Sequence, residues 1–182
     1  MKKIVLTFGF ISGAILSAMM AATVPFVDKI GFDKGMIIGY TTMVLSFLLV
    51  FFGVRSYREN VGNGEISFPR ALGVGLLIMV IASACYVVTW EIVYFKFLPD
   101  FGEKYTSHML DELKASGASA QEIETKRQEF ARFRELYANP LFNSAVTFLE
   151  PLPVGLPITL LSAIILRKKQ KVLNGEQQLA SS

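Results

Sequence analysis

The chain of 182 residues has one cysteine, one histidine and one tryptophan. A lone cysteine excludes an intramolecular disulfide, and Cys85 with His108 is too small a set for a Cys/His zinc site. Charge is also scarce. Asp, Glu, Lys and Arg make up 18% of the chain, below the soluble norm of about 25%, and they fall in blocks between long uncharged stretches. The net charge of +3 and pI near 9.0 come without a basic stripe carrying interleaved aromatics, so nucleic acid is not expected as a partner. No nucleophile elbow, phosphate-cradling glycine loop or metal-ligand set is visible, and no catalytic residue, cofactor or metal is expected. Internal repeats and low-complexity tracts are missing too.

What remains is apolar: 52% of residues are hydrophobic and the mean hydropathy is +0.46. Four runs are long enough to cross a hydrocarbon core of about 30 Å as helices. Ile4 to Val27 (4–27), Gly35 to Val54 (35–54) and Ala71 to Trp90 contain no charge, and the third helix is expected to continue to 94. Leu141 to Leu166 (141–166) carries one charge, Glu150, and three prolines. Continuous apolar runs without alternation call for helices, which satisfy their own backbone groups in lipid. Lys2 and Lys3 before the first run, with Ala21-Ala22 near its end, loosely fit a cleaved signal peptide. That run is longer than a signal core of about 7–15 residues and a second span follows closely, so it reads as a retained helix.

Four spans put both termini on one side. The basic residues near that side, Lys2, Lys3, Arg55, Arg58, Arg70, Arg167, Lys168, Lys169 and Lys171, are denser and closer to span ends than those opposite, which places both termini in the cytoplasm. The stretch 99–139 is the one sizeable extramembrane piece and reads as an amphipathic helical hairpin outside the membrane. Phe97, Phe101, Tyr105, Met109 and Leu113 recur at helical spacing, Ala115 to Ser119 interrupts, and Ser119 with Glu122 forms a capping box. Ile123, Phe130, Phe133 and Tyr137 give the second helix its apolar face, and Asn139-Pro140 ends it. Residues 1–172 make a single membrane domain, and 173–182 read as a flexible polar tail.

Glu150 is the most informative residue, because a carboxylate inside a span is costly and faces protein, water or a partner charge. It opens a run containing Pro151, Pro153 and Pro157, where missing backbone donors predict a broken helix. Such breaks line ligand or ion sites in transporters, whereas the plainer reading seats a proline in the first turn of a shorter helix. Glu91 lies near the outer interface, and pairing with Glu150 would permit proton exchange. Trp90, Tyr86 and Tyr94 fit an interfacial aromatic belt. Arg55, Arg58, Arg70, Arg167, Lys168 and Lys169 are candidate contacts to anionic lipid headgroups on the cytoplasmic face. Small residues at Gly9, Gly13, Ser17 and Ala21, at Gly35 and Gly39, and at Gly155, Thr159 and Ala163 permit close helix contact within one bundle, with a homo-oligomer seam as the alternative. His108, with Asp111 and Glu112 at helical spacing, reads as a solvated surface histidine, and Cys85 as a buried inert thiol.

Several motifs together resemble one known family. They are Phe32-Asp33-Lys34-Gly35-Met36-Ile37-Ile38-Gly39-Tyr40, Phe52-Gly53-Val54-Arg55-Ser56-Tyr57-Arg58, Ile66-Ser67-Phe68-Pro69-Arg70-Ala71, Lys114-Ala115-Ser116-Gly117-Ala118, Asn139-Pro140-Leu141-Phe142, and Pro153-Val154-Gly155-Leu156 leading to Leu161-Ser162-Ala163-Ile164-Ile165-Leu166. The chain resembles, over nearly its whole length, the domain-of-unknown-function-4199 family of bacterial four-span membrane proteins. Pro69 departs from the pattern, since similar sequences tend to carry a small residue there. The resemblance implies a multi-pass protein of the bacterial inner membrane and transfers no catalytic residues.

The expectation is an all-α integral membrane bundle of four transmembrane helices with an extracytoplasmic hairpin between spans three and four. Its leading role is a non-enzymatic component that binds lipid or a partner protein through the hairpin. The alternative is a small transporter or ion-conducting subunit organised around Glu150.

Overall fold

The computed structural model describes residues 1–168, which leaves Lys169 and the tail 173–182 outside the described residues. Helix α1 (Lys2–Thr23) gives way to a 3₁₀ turn at Val24–Phe26, where Pro25 has no N–H to extend the ladder, and then to the short α2 (Val27–Ile30). Gly31, at φ +86°, turns the chain into α3 (Phe32–Asn60), which outruns the apolar stretch 35–54 at both ends. Asn63 and Gly64 take positive φ in the following turn. Helix α4 (Phe68–Ile92) has Pro69 in its first turn as expected, although the Ser67 hydroxyl makes no capping bond. Its end widens into a π-helical turn, Val93–Phe97.

The hairpin between the third and fourth spans is α5 (Phe101–Ala115) and α6 (Ala120–Tyr137). The capping box forms: Glu122 N–H donates to Ser119 Oγ at 3.2 Å and Ser119 N–H to Glu122 Oε2 at 2.8 Å. Those bonds hold the Glu122 carboxyl below the usual range. Helices α7 (Pro140–Leu149) and α8 (Leu152–Leu166) follow, bent by 41° at their junction. Lys2–Ile30, Phe32–Asn60 and Phe68–Phe97 are each long and apolar enough to cross a membrane, and the bent pair makes a fourth when taken as one span. Ile37, Leu45, Val88 and Ile165 stand well exposed on the outside of the bundle, a belt that water would not tolerate and lipid does. The chain is an all-α, multi-pass membrane bundle.

Close contacts set the helix directions. Gly9, Gly13 and Ser17 of α1 meet Ile81, Cys85 and Thr89 of α4 in the same order, so the two helices run parallel. Phe8 meets Gly53 while Ser12 meets Ser46, so α3 runs against α1. Gly155 meets Met79 and Thr159 meets Gly75, so α8 runs against α4. Lys2, the loop 61–67 and Lys168 therefore share one end of the bundle and the hairpin caps the other. The main core is centred on Phe47, Val50, Val54, Val74 and Ile78. Ser12 and Ser46, both fully buried, exchange bonds across α1 and α3: each hydroxyl donates to the other's carbonyl, at 2.7 and 2.8 Å. Neither polar group is left unpaired in the core.

The expected small-residue faces divide. In α1 and α8 they are contact surfaces: a Cβ at Gly13 would lie 2.6 Å from Cys85 Cβ, and one at Gly155 would lie 2.7 Å from Met79 Sδ. Gly35 and Gly39 meet nothing within 4 Å, so the second span does not use them for close packing. Gly13→Ala is therefore expected to lower stability by about 1–3 kcal/mol through overpacking. Gly39→Ala should leave stability unchanged or raise it by up to about 1 kcal/mol through helix propensity. Thermal unfolding in detergent followed by circular dichroism compares the two.

Candidate functional site

The fourth span is where apolar helix and chemistry meet. Asn139 starts α7: its Oδ1 accepts the N–H of Leu141 at 2.9 Å and of Phe142 at 3.4 Å, and Pro140 occupies the first turn. The helix stops at Glu150, because Pro151 and Pro153 cannot donate back to the preceding turn. Pro153 lies in the first turn of α8, and Pro151 O accepts the N–H of Val154 and Gly155 at 3.2 and 2.8 Å. Pro157 was expected to share in the break, yet α8 continues through it. The one backbone donor that Pro157 lacks does not end the helix, whose buried Gly155, Thr159 and Ala163 pack within the bundle.

Glu150 sits at this break, exposed on the flank of the bundle, and Tyr86 Oη of α4 donates to its Oε2 at 2.9 Å. Glu91, half-buried, accepts a bond from Ser144 Oγ of α7 at 2.9 Å. The two carboxylates thus bind different hydroxyls, and no bond joins them among the described residues. One turn before Tyr86, the Ser83 hydroxyl is fully buried and has no partner.

Above the break runs a chain of polar groups that the sequence did not single out. Trp90 Nε1–H donates to Tyr137 Oη at 2.9 Å, and Tyr137 Oη lies 3.2 Å from Thr147 Oγ1. Thr147 spends its proton on Asn143 Oδ1 at 3.2 Å, so Tyr137 must donate to Thr147. Asn143 Nδ2 returns a bond to the Tyr137 carbonyl at 3.3 Å. Asn143 and Thr147 are buried, and the chain ties α4, α6 and α7 into one joint. The available signal was a pair of polar residues four apart on an otherwise apolar helix. Met20, Trp90 and Tyr94 form a second small core here, with Phe101 and Tyr137 packed on it.

The hairpin is fastened by α5. The Phe32 ring lies 5.7 Å from Phe101, 5.7 Å from Tyr105 and 5.0 Å from His108, the last stacked at 25°. Lys104 Nζ reaches Asp28 at 2.7 Å and Asp100 at 3.0 Å, which raises the lysine pKa and lowers that of Asp100. His108 Nε2 stands 3.5 Å from Asp33 Oδ1 and 3.6 Å from Glu112 Oε1. That nitrogen is buried and makes no hydrogen bond, so the histidine is not the freely solvated one expected. Asp111 turns instead to Lys114, at 2.8 Å. By contrast, α6 has no buried residue, and Phe133 and Leu136 are 46% and 49% exposed.

At the opposite end, Arg55, Arg70, Arg167 and Lys168 are exposed. Arg58 is engaged within the chain: its guanidinium pairs with Glu59 at 2.5 Å and donates to the Leu166 carbonyl at 3.3 Å. It caps α8, and three of its five N–H groups are already engaged within the chain. The Ile66 and Lys168 backbones exchange two further bonds there. Lys169 lies outside the described residues.

A family model described as a protein of unknown function (DUF4199) matches residues 7–168. No curated protein and no solved structure matches the chain.

Tyr137→Phe removes the central link of the polar chain and orphans the Trp90 N–H. It is expected to cost about 1–3 kcal/mol, the range for a buried donor left unpaired. Trp90 is the one tryptophan in the chain, so its emission should shift in the same variant. Denaturation followed by fluorescence and by circular dichroism reads both effects.

Proposed function

The chain belongs to the DUF4199 family, whose description assigns no activity, and from its geometry we propose that it is a non-enzymatic membrane component that binds a partner protein through its outer hairpin. The observation that carries this is α6. A helix with no buried residue, bearing half-exposed Phe133 and Leu136, keeps apolar surface that its own fold leaves uncovered. It is nevertheless held at its base by the Trp90–Tyr137–Thr147 chain and beside it by α5, so it is presented on a rigid support. A preorganised surface loses less entropy on binding.

Charge favours protein over lipid as the occupant. Glu122, Glu124, Glu129 and Glu135 balance Lys126, Arg127, Arg132 and Arg134, so α6 has no net charge. Helices that lie on anionic membranes are enriched in Lys and Arg on their polar face. The family resemblance and the basic end of the bundle support a bacterial inner-membrane location with both termini cytoplasmic. There, exposed Arg55, Arg70, Arg167 and Lys168 would meet anionic headgroups.

A second reading, a transporter or ion-conducting subunit, draws on Glu150 at the helix break with its Tyr86 partner. On that reading Glu150→Gln abolishes proton-dependent flux across proteoliposomes. On the leading reading, photo-crosslinkers at Phe133 and Leu136 in native membranes yield a discrete adduct with one protein. Phe133→Asp should abolish that adduct without loss of the folded bundle. Adducts confined to lipid or to the chain itself would reject the partner reading.

A further inference from the structure

We infer that Asp33, His108 and Glu112 form a binding site for a divalent first-row transition cation of the zinc class on the outer face of the bundle. The inference does not rest on the partner-binding reading, because it concerns α3 and α5 and not α6.

The donor atoms have the spacing of a metal shell and not of hydrogen bonds. His108 Nε2 is 3.5 Å from Asp33 Oδ1 and 3.6 Å from Glu112 Oε1, and the three donor atoms all lie within 4.8 Å of one another. An imidazole N–H bonded to a carboxylate would sit at about 2.7–2.9 Å. Tetrahedral zinc with ligands at about 2.0–2.1 Å places neighbouring donors about 3.4 Å apart. A single nitrogen proton shared between two acceptors at these distances makes only a weak three-centre contact. One cation would satisfy all three donors together.

An independent feature points the same way. The Nε2 atom is buried yet has no hydrogen-bond partner, although two acceptors flank it. Stacking against Phe32 at 25° holds the ring in that orientation. His108 and Glu112 are four apart on α5 and so share a face, while Asp33 lies in the first turn of α3. All three ligands therefore stand on helices already fastened by Phe101, Tyr105 and Lys104.

The donor set also defines the cation. Two carboxylates with a neutral imidazole carry a charge of −2, which a divalent ion cancels. The imidazole favours zinc-class ions over magnesium and calcium, which prefer all-oxygen shells. Three protein ligands leave a fourth position for water or for a donor brought by another molecule. Bound there, the ion would staple α5 to α3 across the outer face.

The test uses the tag-free full chain in detergent, stripped with chelator and titrated calorimetrically with zinc chloride. Wild type is expected to bind one zinc, with magnesium and calcium failing to compete. His108→Gln and Asp33→Asn should each weaken zinc binding by about tenfold or more. X-ray absorption of the zinc-loaded wild type decides the matter even where a variant misfolds, because the chain has a single histidine. A nitrogen and oxygen shell with one imidazole supports the site. Failure to bind, unchanged affinity in folded variants, a shell containing sulfur, or one without imidazole would overturn it.

Discussion

Lipid tails are as apolar as leucine, so helices inside a bilayer gain nothing by hiding apolar surface from one another and hold together only where they touch closely. The most extensive helix contact here is between α1 and α4, which approach closely because residues 9 and 13 are glycine. That seam places two parallel helices side by side, leaving α3 to pack against both and α8 to pack against α3 and α4. The Ser12–Ser46 exchange and the Gly75–Thr159 contact then finish the joint on either side. Each is a contact of small residues, and each weakens as the helices separate.

The broken fourth span follows from a different economy. Three prolines in seven residues cannot maintain a full hydrogen-bond ladder, so the chain concentrates the irregularity at Glu150–Pro151 and keeps α8 intact through Pro157. Glu150 remains at that depth because it lies on the flank with a phenol to bind it. The 41° bend tilts α7 beneath the hairpin, where Asn143 and Thr147 meet Tyr137 and Trp90. A buried polar chain in which every hydroxyl both accepts and donates is stabilising, whereas the same groups unpaired would be a liability.

The outer hairpin therefore has two unlike halves. Helix α5 spends its aromatic face on Phe32, Trp90 and Tyr94, its Lys104 on Asp28, and turns His108 toward Asp33. Helix α6 buries no residue fully: Ile123, Phe130 and Tyr137 are half-buried, and Phe133 packs on Tyr137 and Phe142. This asymmetry separates an anchoring element from a more exposed one, and the proposed binding role rests on it.

Much of this was legible in the chain itself. The spans follow from uninterrupted apolar length, the capping box from Ser119 and Glu122, and the break from the clustering of prolines, because each is a local property of backbone and solvent. The candidate site was legible only in part. Glu150 stood out, but its partner Tyr86 looked like one more belt aromatic, and Glu91, whose pairing with Glu150 was only the alternative reading, binds a separate hydroxyl. His108 looked solvated, because its second carboxylate, Asp33, comes from a helix 75 residues earlier. Which glycines are contacts and which face lipid was equally hidden, since Gly13 and Gly39 share the same local pattern. The sequence by itself determined what crosses the membrane, where each helix starts and where one must break. Only the tertiary structure decided which polar groups meet, because those meetings depend on distances between helices that no local periodicity encodes.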